Sequence, residues 1–161
     1  MRAIGMEFGD MASDVLLAGI ADEVTFGGGM MGGMTMAMMD GRRVDMREMM
    51  RGGMAWAING VVARGHVMEP LPTLRRGRSY VLGMHNDTAW HHPMHPHGHA
   101  FRVIARQGRP TRHLAWQDTV LMDLRERVEI ALVADNPGDW MLHCHILEHQ
   151  AAGMMGVIRV A

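Results

Sequence analysis

A cysteine flanked on both sides by histidine, His143-Cys144-His145, is the most chemically loaded stretch of this 161-residue chain. Thiolate and imidazole are soft and borderline ligands, suited to copper or zinc rather than to magnesium or calcium. The run continues to His149 and Met154, and a second cluster, HHPMHPHGH, fills residues 91–99. Eight of the 11 histidines fall in these two stretches, which random placement does not produce. If the cysteine ends a strand, alternation sends His143 and His145 to one face and Cys144 to the other, so three consecutive residues can serve two metal sites. His95 and His97 repeat the same-face spacing, whereas His92, set off by Pro93, can turn to the opposite side. Two ligand sets result. His92, Cys144, His149 and Met154 have the composition of a blue-copper electron-transfer site, and His95, His97, His143 and His145 form an all-imidazole set suited to binding and reducing dioxygen. A closed structural zinc site is the competing reading, but a tetrahedral site has no use for so many ligands in this alternation.

Short β-rich runs separated by turn residues are what must hold these ligands. From Trp56 onward the pattern predicts strands at Ala55–Asn59, Ser79–Asn86, Ala100–Arg106, Thr119–Asp123, Arg127–Ala134, Asp139–His145 and Met154–Val160. Asn59-Gly60, Arg76-Gly77, Gly108 to Pro110 and Asn136 to Gly138 supply turns. So many short strands without a sustained helical period predict an all-β Greek-key sandwich or small barrel over residues 55–161. Trp90 and Trp140, each just before a copper-type motif, are expected to pack between the sheets. Asp118 reads as a structural acid beside a turn. His85 and His113 read as ordinary polar residues, and Arg75, Arg76 and Arg78 as a solvated strand entry.

Residues 1–54 read as an N-terminal extension. The apolar run Val15 to Ile20 fits a strand or a short helix equally well. Residues 27–41, GGGMMGGMTMAMMDG, are too rich in glycine for a stable helix or strand and are expected to form a mobile loop. Asp45 can cap a short helix with Glu48 as its capping-box partner, Met46, Met49 and Met50 on one face, and Gly52 and Gly53 at its end. Ten of the 20 methionines lie between Met30 and Met54. Thioethers select Cu(I), so the segment is either a cuprous-ion docking loop, with Met30, Met31, Met34, Met36, Met38 and Met39 as its donors, or a loop whose methionines fill gaps. Met46, Met49 and Met50 read as packing.

Sixteen basic and 17 acidic residues nearly cancel, which argues against a nucleic-acid partner. The basic residues are all arginine. Acidic residues at 7, 10 and 14 interrupt the N-terminal segment, so neither an export signal nor a membrane span is read. One cysteine excludes an intrachain disulfide.

The two clusters, HPMHPHGHAF at 92–101 and HCHILEHQAAGMM at 143–155, resemble the copper motifs of the last cupredoxin domain of multicopper oxidases. WAING at 56–60, LRRGRSYVLGMHND at 74–87 and WQDTV at 116–120 extend the resemblance over residues 55–161. It implies that His92, Cys144, His149 and Met154 hold a type 1 copper, that His95 is a type 2 ligand, and that His97, His143 and His145 are type 3 ligands. It also implies that Glu148 hands protons to the oxygen site. Met154 at its position resembles the bacterial copper-resistance members. The family's trinuclear cluster takes four further histidines from a partner cupredoxin domain as two His-x-His pairs. The remaining histidines here, His66, His85, His91, His99 and His113, do not supply them. The chain is thus expected either to be one domain of a longer oxidase or to complete the cluster in a homo-oligomer.

By this resemblance the activity would be oxidation of phenols, aromatic amines or Cu(I), one electron at a time, coupled to reduction of O2 to water. The compartment would be periplasmic or extracellular. A one-copper electron-transfer or storage module is the alternative. Nitrite-reducing copper enzymes share the barrel but lack a second histidine after the cysteine.

Overall fold

The computed structural model describes residues 20–65 and 69–161, so most of the Val15–Ile20 run, and His66, lie outside the described residues. Two sheets face each other. The larger runs β10 (Trp116–Gln117), β8 (Phe101–Arg106), β12 (Arg127–Val133), β6 (Ser79–Asn86), β1 (Ile20–Gly28) and β4 (Trp56–Ile58), with β9 (Arg109–Pro110) paired to β8. The smaller runs β11 (Val120–Met122), β7 (His92–Pro96), β13 (Gly138–Cys144), β14 (Met155–Val160) and β5 (Thr73–Leu74). The chain crosses between sheets at β4 to β5, β5 to β6, β6 to β7, β7 to β8, β10 to β11, β11 to β12 and β12 to β13, the inter-sheet connections of a Greek-key sandwich. This is the cupredoxin architecture. All seven predicted strands form, with ends within one residue of those expected, because each alternates apolar residues toward the other sheet.

The main core is built from both inner faces: Phe26, Leu82, Met84, Phe101, Val128, Ile130 and Leu132 from the larger sheet meet Met94, Val120, Met122, Leu142, Cys144 and Ile158 from the smaller. Each large apolar side chain buried there contributes roughly 1.5–3 kcal/mol. Cys144 therefore belongs to the core as well as to the expected metal-ligand set.

Three elements depart from expectation. The strand β1 lies within the stretch read as an extension, yet it pairs parallel with β6 and antiparallel with β4. The segment expected to be a mobile loop folds in part into a hairpin, β2 (Met36–Met39) with β3 (Arg42–Asp45). Asp40 and Gly41 close it with φ of 52° and 74°, the signature of a two-residue type I′ turn, so Asp-Gly was the signal that glycine content obscured. Third, the 92–96 motif is itself a strand despite Pro93 and Pro96, residues that normally demote one.

Helix α1 (Met46–Arg51) follows the hairpin, and the Asp45 carboxylate accepts the Glu48 N–H at 2.8 Å, as expected of its cap. The Glu48 carboxylate pairs with Arg42 instead of closing a capping box. Ala37, Met39, Val44, Met49, Ala57 and Val62 form a second, smaller core under the hairpin. Helix α2 (Leu147–Ala151) follows β13 and turns the chain back into β14. Among the described residues no helix is long and apolar enough to cross a membrane.

Candidate metal centre

Strands β7 and β13 lie side by side, antiparallel, with His143 opposite His95 and Cys144 opposite Met94. On β7, His92, Met94 and Pro96 are buried while Pro93 and His95 are half-buried, so alternation alone separates the motif's histidines. His92 and His95 differ by an odd number of residues and therefore face opposite ways. No special turn at Pro93 is involved. Met94 on one strand and Cys144 on the other point into the core.

On the core side, His92 Nδ1, His149 Nδ1 and Cys144 Sγ converge. The two nitrogens are 3.1 Å apart, and the sulfur lies 3.7 Å from His92 Nδ1 and 3.6 Å from His149 Nδ1. Bonds of about 2.0 Å from nitrogen and 2.3 Å from sulfur to one ion produce edges of this size, so the donors fit a single metal. Among the described residues, these three form the one His, Cys, Asp and Glu group whose donor atoms all lie within 4.8 Å of one another. Met154 is fully buried, its N–H bonded to the His149 carbonyl and its own carbonyl accepting the Cys144 N–H. The backbone thus ties all three of Cys144, His149 and Met154 into one short loop.

Burial sets the protonation of this group. His92 has no exposure, and loss of solvation, reinforced by His149, pushes its pKa down to about 3. Burial also lowers that of His149, opposed by the neighbouring Glu148 carboxylate, and pushes the Cys144 thiol up to about 11. Neutral imidazoles offer lone pairs, whereas the buried thiol keeps its proton near neutral pH and would release it on binding a metal.

Trp56 roofs the site, with its ring centroid 4.5 Å from that of His149 and 5.0 Å from that of His92. Two glycines make room for it. A Cβ on Gly29 (φ +67°) would lie 2.4 Å from the Trp56 ring, and one on Gly153 (φ +112°) 2.5 Å from its carbonyl oxygen. Trp90 packs edge-on to both Trp56 and His149. It is 47% exposed, so the expectation that it packs between the sheets is corrected, whereas Trp140 does pack against the core. Sequence reasoning passed over Trp56 as a site residue because nothing in WAING marks a ring that covers a distant histidine.

Outside Trp56 and Trp90 lies a cavity of about 420 Å³ whose walls include Met30, Met31, Met34, Met46 and Met50. The methionines divide by position, not by the grouping expected from sequence. Met39 and Met49 are buried in the second core, Met36 and Met38 point elsewhere on the hairpin, and Met46 and Met50 join the cavity.

On the opposite side of the smaller sheet, four imidazoles gather. Ring centroids are 4.8 Å apart for His95 and His97, 5.1 Å for His97 and His143, 5.1 Å for His95 and His145, and 5.3 Å for the stacked His143 and His145. His143 Nδ1–H donates to the Cys144 carbonyl at 2.8 Å and His95 Nδ1–H to the Asp118 carbonyl at 2.6 Å, which in the neutral rings leaves both Nε2 atoms unprotonated. His97 Nε2 and His143 Nε2 are 3.0 Å apart. Asp118 acts through its backbone, in keeping with a structural acid. Burial and the neighbouring imidazoles lower the pKa of His97 and His143, with the His143 bond to Cys144 opposing it. Glu148 is exposed on α2, and among the described residues no hydrogen bond links its carboxylate to the four rings. His85, His91, His99 and His113 join neither set; His91 sits 3.3 Å from Asp123 at the surface.

A cupredoxin sandwich with a buried His, Cys and His triangle on one side of a strand pair and clustered imidazoles on the other defines the class. The family model described as multicopper oxidase matches residues 38–161, and the chain belongs to that family, whose metal is copper. It is 40% identical over 104 residues to the multicopper oxidase MmcO of Mycobacterium tuberculosis, covering 62% of this chain and 18% of that relative. It is 38% identical over 95 residues to laccase-2 of Fomitopsis schrenkii, covering 55% of this chain and 18% of that one. The solved multi-copper oxidase from Pseudomonas thermotolerans superposes with a TM-score of 0.61 at 34% identity, over 66% of this chain and 26% of that one. The multicopper oxidase from Campylobacter jejuni, a metallo-oxidase, reaches 0.68 over 88% of this chain and 30% of that one, at 22% identity that speaks for fold alone. The chain spans less than a fifth of the length of these two curated relatives.

Proposed function

We propose that this chain supplies the type 1 copper site and half of the trinuclear site of a multicopper oxidase, with His92, Cys144, His149 and Met154 as ligands of the first and His95, His97, His143 and His145 of the second. Copper in these places supplies one-electron chemistry at the thiolate site and reduction of O2 to water at the imidazole site. One observation carries the reading: Cys144 points to the core triangle while the residues on either side of it belong to the imidazole cluster. The polypeptide is then the wire. Sγ joins His143 and His145 through a few covalent bonds, and the hydrogen bond from His143 Nδ1–H to the Cys144 carbonyl offers a second link. Trp56 and Trp90 shield the triangle from water and leave the cavity beside His149 as the approach for a reductant.

That reductant, on this reading, is Cu(I) or a small phenol or aromatic amine, and the thioethers of Met30, Met31, Met34, Met46 and Met50 favour Cu(I). The four imidazoles lie on an open face and are half of the eight that the family's cluster uses, so a second cupredoxin domain or another copy of the chain is proposed to complete it. Glu148 is proposed as the proton donor to that completed site, and a periplasmic or extracellular setting belongs to the same reading. A single-copper electron-transfer module is the second reading, favoured by the fact that among the described residues only the core triangle converges on one point.

Native mass spectrometry of the copper-loaded chain tests the two. An assembly holding more coppers than chains, with O2 consumption on adding Cu(I), is the expected result. A monomer carrying one copper and consuming no O2 would remove self-association and leave the electron-transfer reading or a cluster completed by a separate cupredoxin domain, which adding that domain and measuring O2 consumption tells apart. Replacing Met30, Met31 and Met34 together by leucine is expected to raise KM for Cu(I) several-fold and leave KM for a phenol unchanged; equal changes in both would remove the cuprous-ion proposal.

A further inference from the structure

Behind the core triangle lies a closed set of polar groups that the ligand assignment does not use. Asn86, Thr88 and His92 all have no exposure, and each can be followed to its hydrogen-bond partners. Asn86 Nδ2 donates to two backbone carbonyls, Trp90 and Asp123, both at 2.7 Å. Those two acceptors take both amide hydrogens and fix which way the side chain faces. Its Oδ1 must then be the atom turned to Thr88, and the Thr88 N–H, 3.1 Å away, agrees.

Thr88 Oγ1 lies 2.7 Å from that Oδ1 and 3.2 Å from the Trp90 carbonyl, both of which can only accept; the carbonyl already takes an Asn86 amide hydrogen, so the threonine directs its single hydroxyl proton to the nearer Oδ1. The Trp90 N–H donates to one lone pair of Oγ1 at 3.1 Å. The remaining lone pair faces His92 Nε2 at 2.8 Å, and a lone pair on each atom at that distance would repel. Nε2 therefore carries the proton. In a neutral ring Nδ1 is then bare, and it is Nδ1 that faces Cys144 and His149.

We propose that Thr88 is a positioning residue of the buried site, its hydroxyl, oriented by Asn86, holding His92 in the tautomer and rotation that present the Nδ1 lone pair to the metal. The inference rests on the reading that His92 and Cys144 ligate copper. It differs from the arrangement on the other face, where backbone carbonyls do this task for His95 and His143. A side chain can be substituted where a carbonyl cannot, so the proposal is open to direct test.

The experiment compares the wild-type chain with Thr88→Val, which keeps the shape and removes the hydroxyl, and Thr88→Ser, which restores it. Long-range ¹⁵N NMR of the metal-free protein should show the His92 proton on Nε2 in wild type and Thr88→Ser, and a mixture of tautomers in Thr88→Val. Competition titration with copper alone should show affinity lower by about 10- to 100-fold in Thr88→Val and largely recovered in Thr88→Ser, the range typical of partners behind metal ligands. The thiolate-to-copper absorption band should shift in Thr88→Val and return in Thr88→Ser. A wild-type His92 with its proton on Nδ1 would overturn the proposal without any variant, so it stays falsifiable even if Thr88→Val does not fold. Equal copper affinity in Thr88→Val and wild type would also overturn it. Failure of the wild-type chain to bind copper through His92 and Cys144 would overturn the copper reading itself, and the NMR result would still decide the tautomer.

Discussion

His92 and His95 are three residues apart on one strand and end in opposite surroundings. His92 is sealed under Trp56, presents Nδ1, and meets its co-ligands within the chain. His95 sits on an open face, presents Nε2, and has three imidazole neighbours whose donor atoms do not converge on one point. The same contrast separates Cys144 from His143 beside it. Closure around one point needs a core to press the ligands together, and the core side has one. The open side has only the outer face of the smaller sheet, so its imidazoles are arranged as one wall. On the proposed reading, the difference teaches that a single strand pair can finish one metal site and leave another to be finished by association.

The largest test of this contrast is Cys144→Ser. It is expected to abolish the intense visible band of the copper-loaded protein and to take any oxidase activity to background, because the residue is both ligand and connection; a surviving band would mean that the thiolate lies elsewhere. Next is the double change His143→Ala with His145→Ala. It should remove copper from the open face, read by native mass spectrometry, while the visible band persists, and loss of the band would show that the two regions are one site.

Metal-free stability should also separate the two faces. The pKa of His92 falls from its ordinary 6.5 to about 3 on folding, so the unfolded chain takes up that proton first. Stability is therefore fully present above about pH 6.5 and is lost as pH falls toward 3, by up to on the order of 4 kcal/mol from this residue. Denaturant titrations across that range should give a steep curve in wild type and a flatter one in His92→Gln. Equal curves would contradict the sealed environment.

The smallest expected effect comes from Gly29→Ala. Its positive φ and the Trp56 ring beneath it predict a loss of roughly 1–3 kcal/mol, measurable by chemical denaturation, together with a changed Trp fluorescence. An unchanged stability would mean that the roof over His149 is not held by this contact.

Much of the fold was legible because its strands alternate. Ser79–Asn86 and its neighbours could be read within a residue, and the parity of His143, Cys144 and His145 already divided the ligands between two faces. What escaped had local signals that competed. Glycine content hid the Asp40-Gly41 hairpin turn, two prolines hid the strand that carries His92 and His95, and β1 carries no motif that announces its parallel pairing with β6. Thr88 and Asn86 escaped for another reason: Asn86 ends a predicted strand, Thr88 follows it in no motif, and only the packed structure adds His92 as a partner of their local bond.

Residue identity and spacing by themselves determined which atoms could bind metal, that there are two sets, and that alternation along a strand keeps them apart. They could do so because side-chain direction along a strand is a local property of the backbone. Only the tertiary structure decided which nitrogen of each ring faces its site, that Trp56 covers one set, which methionines line the cavity and which are buried, and that one set closes while the other stays open. Those are relations between residues far apart in the chain, set by how two sheets and a hairpin pack, and no local pattern records them.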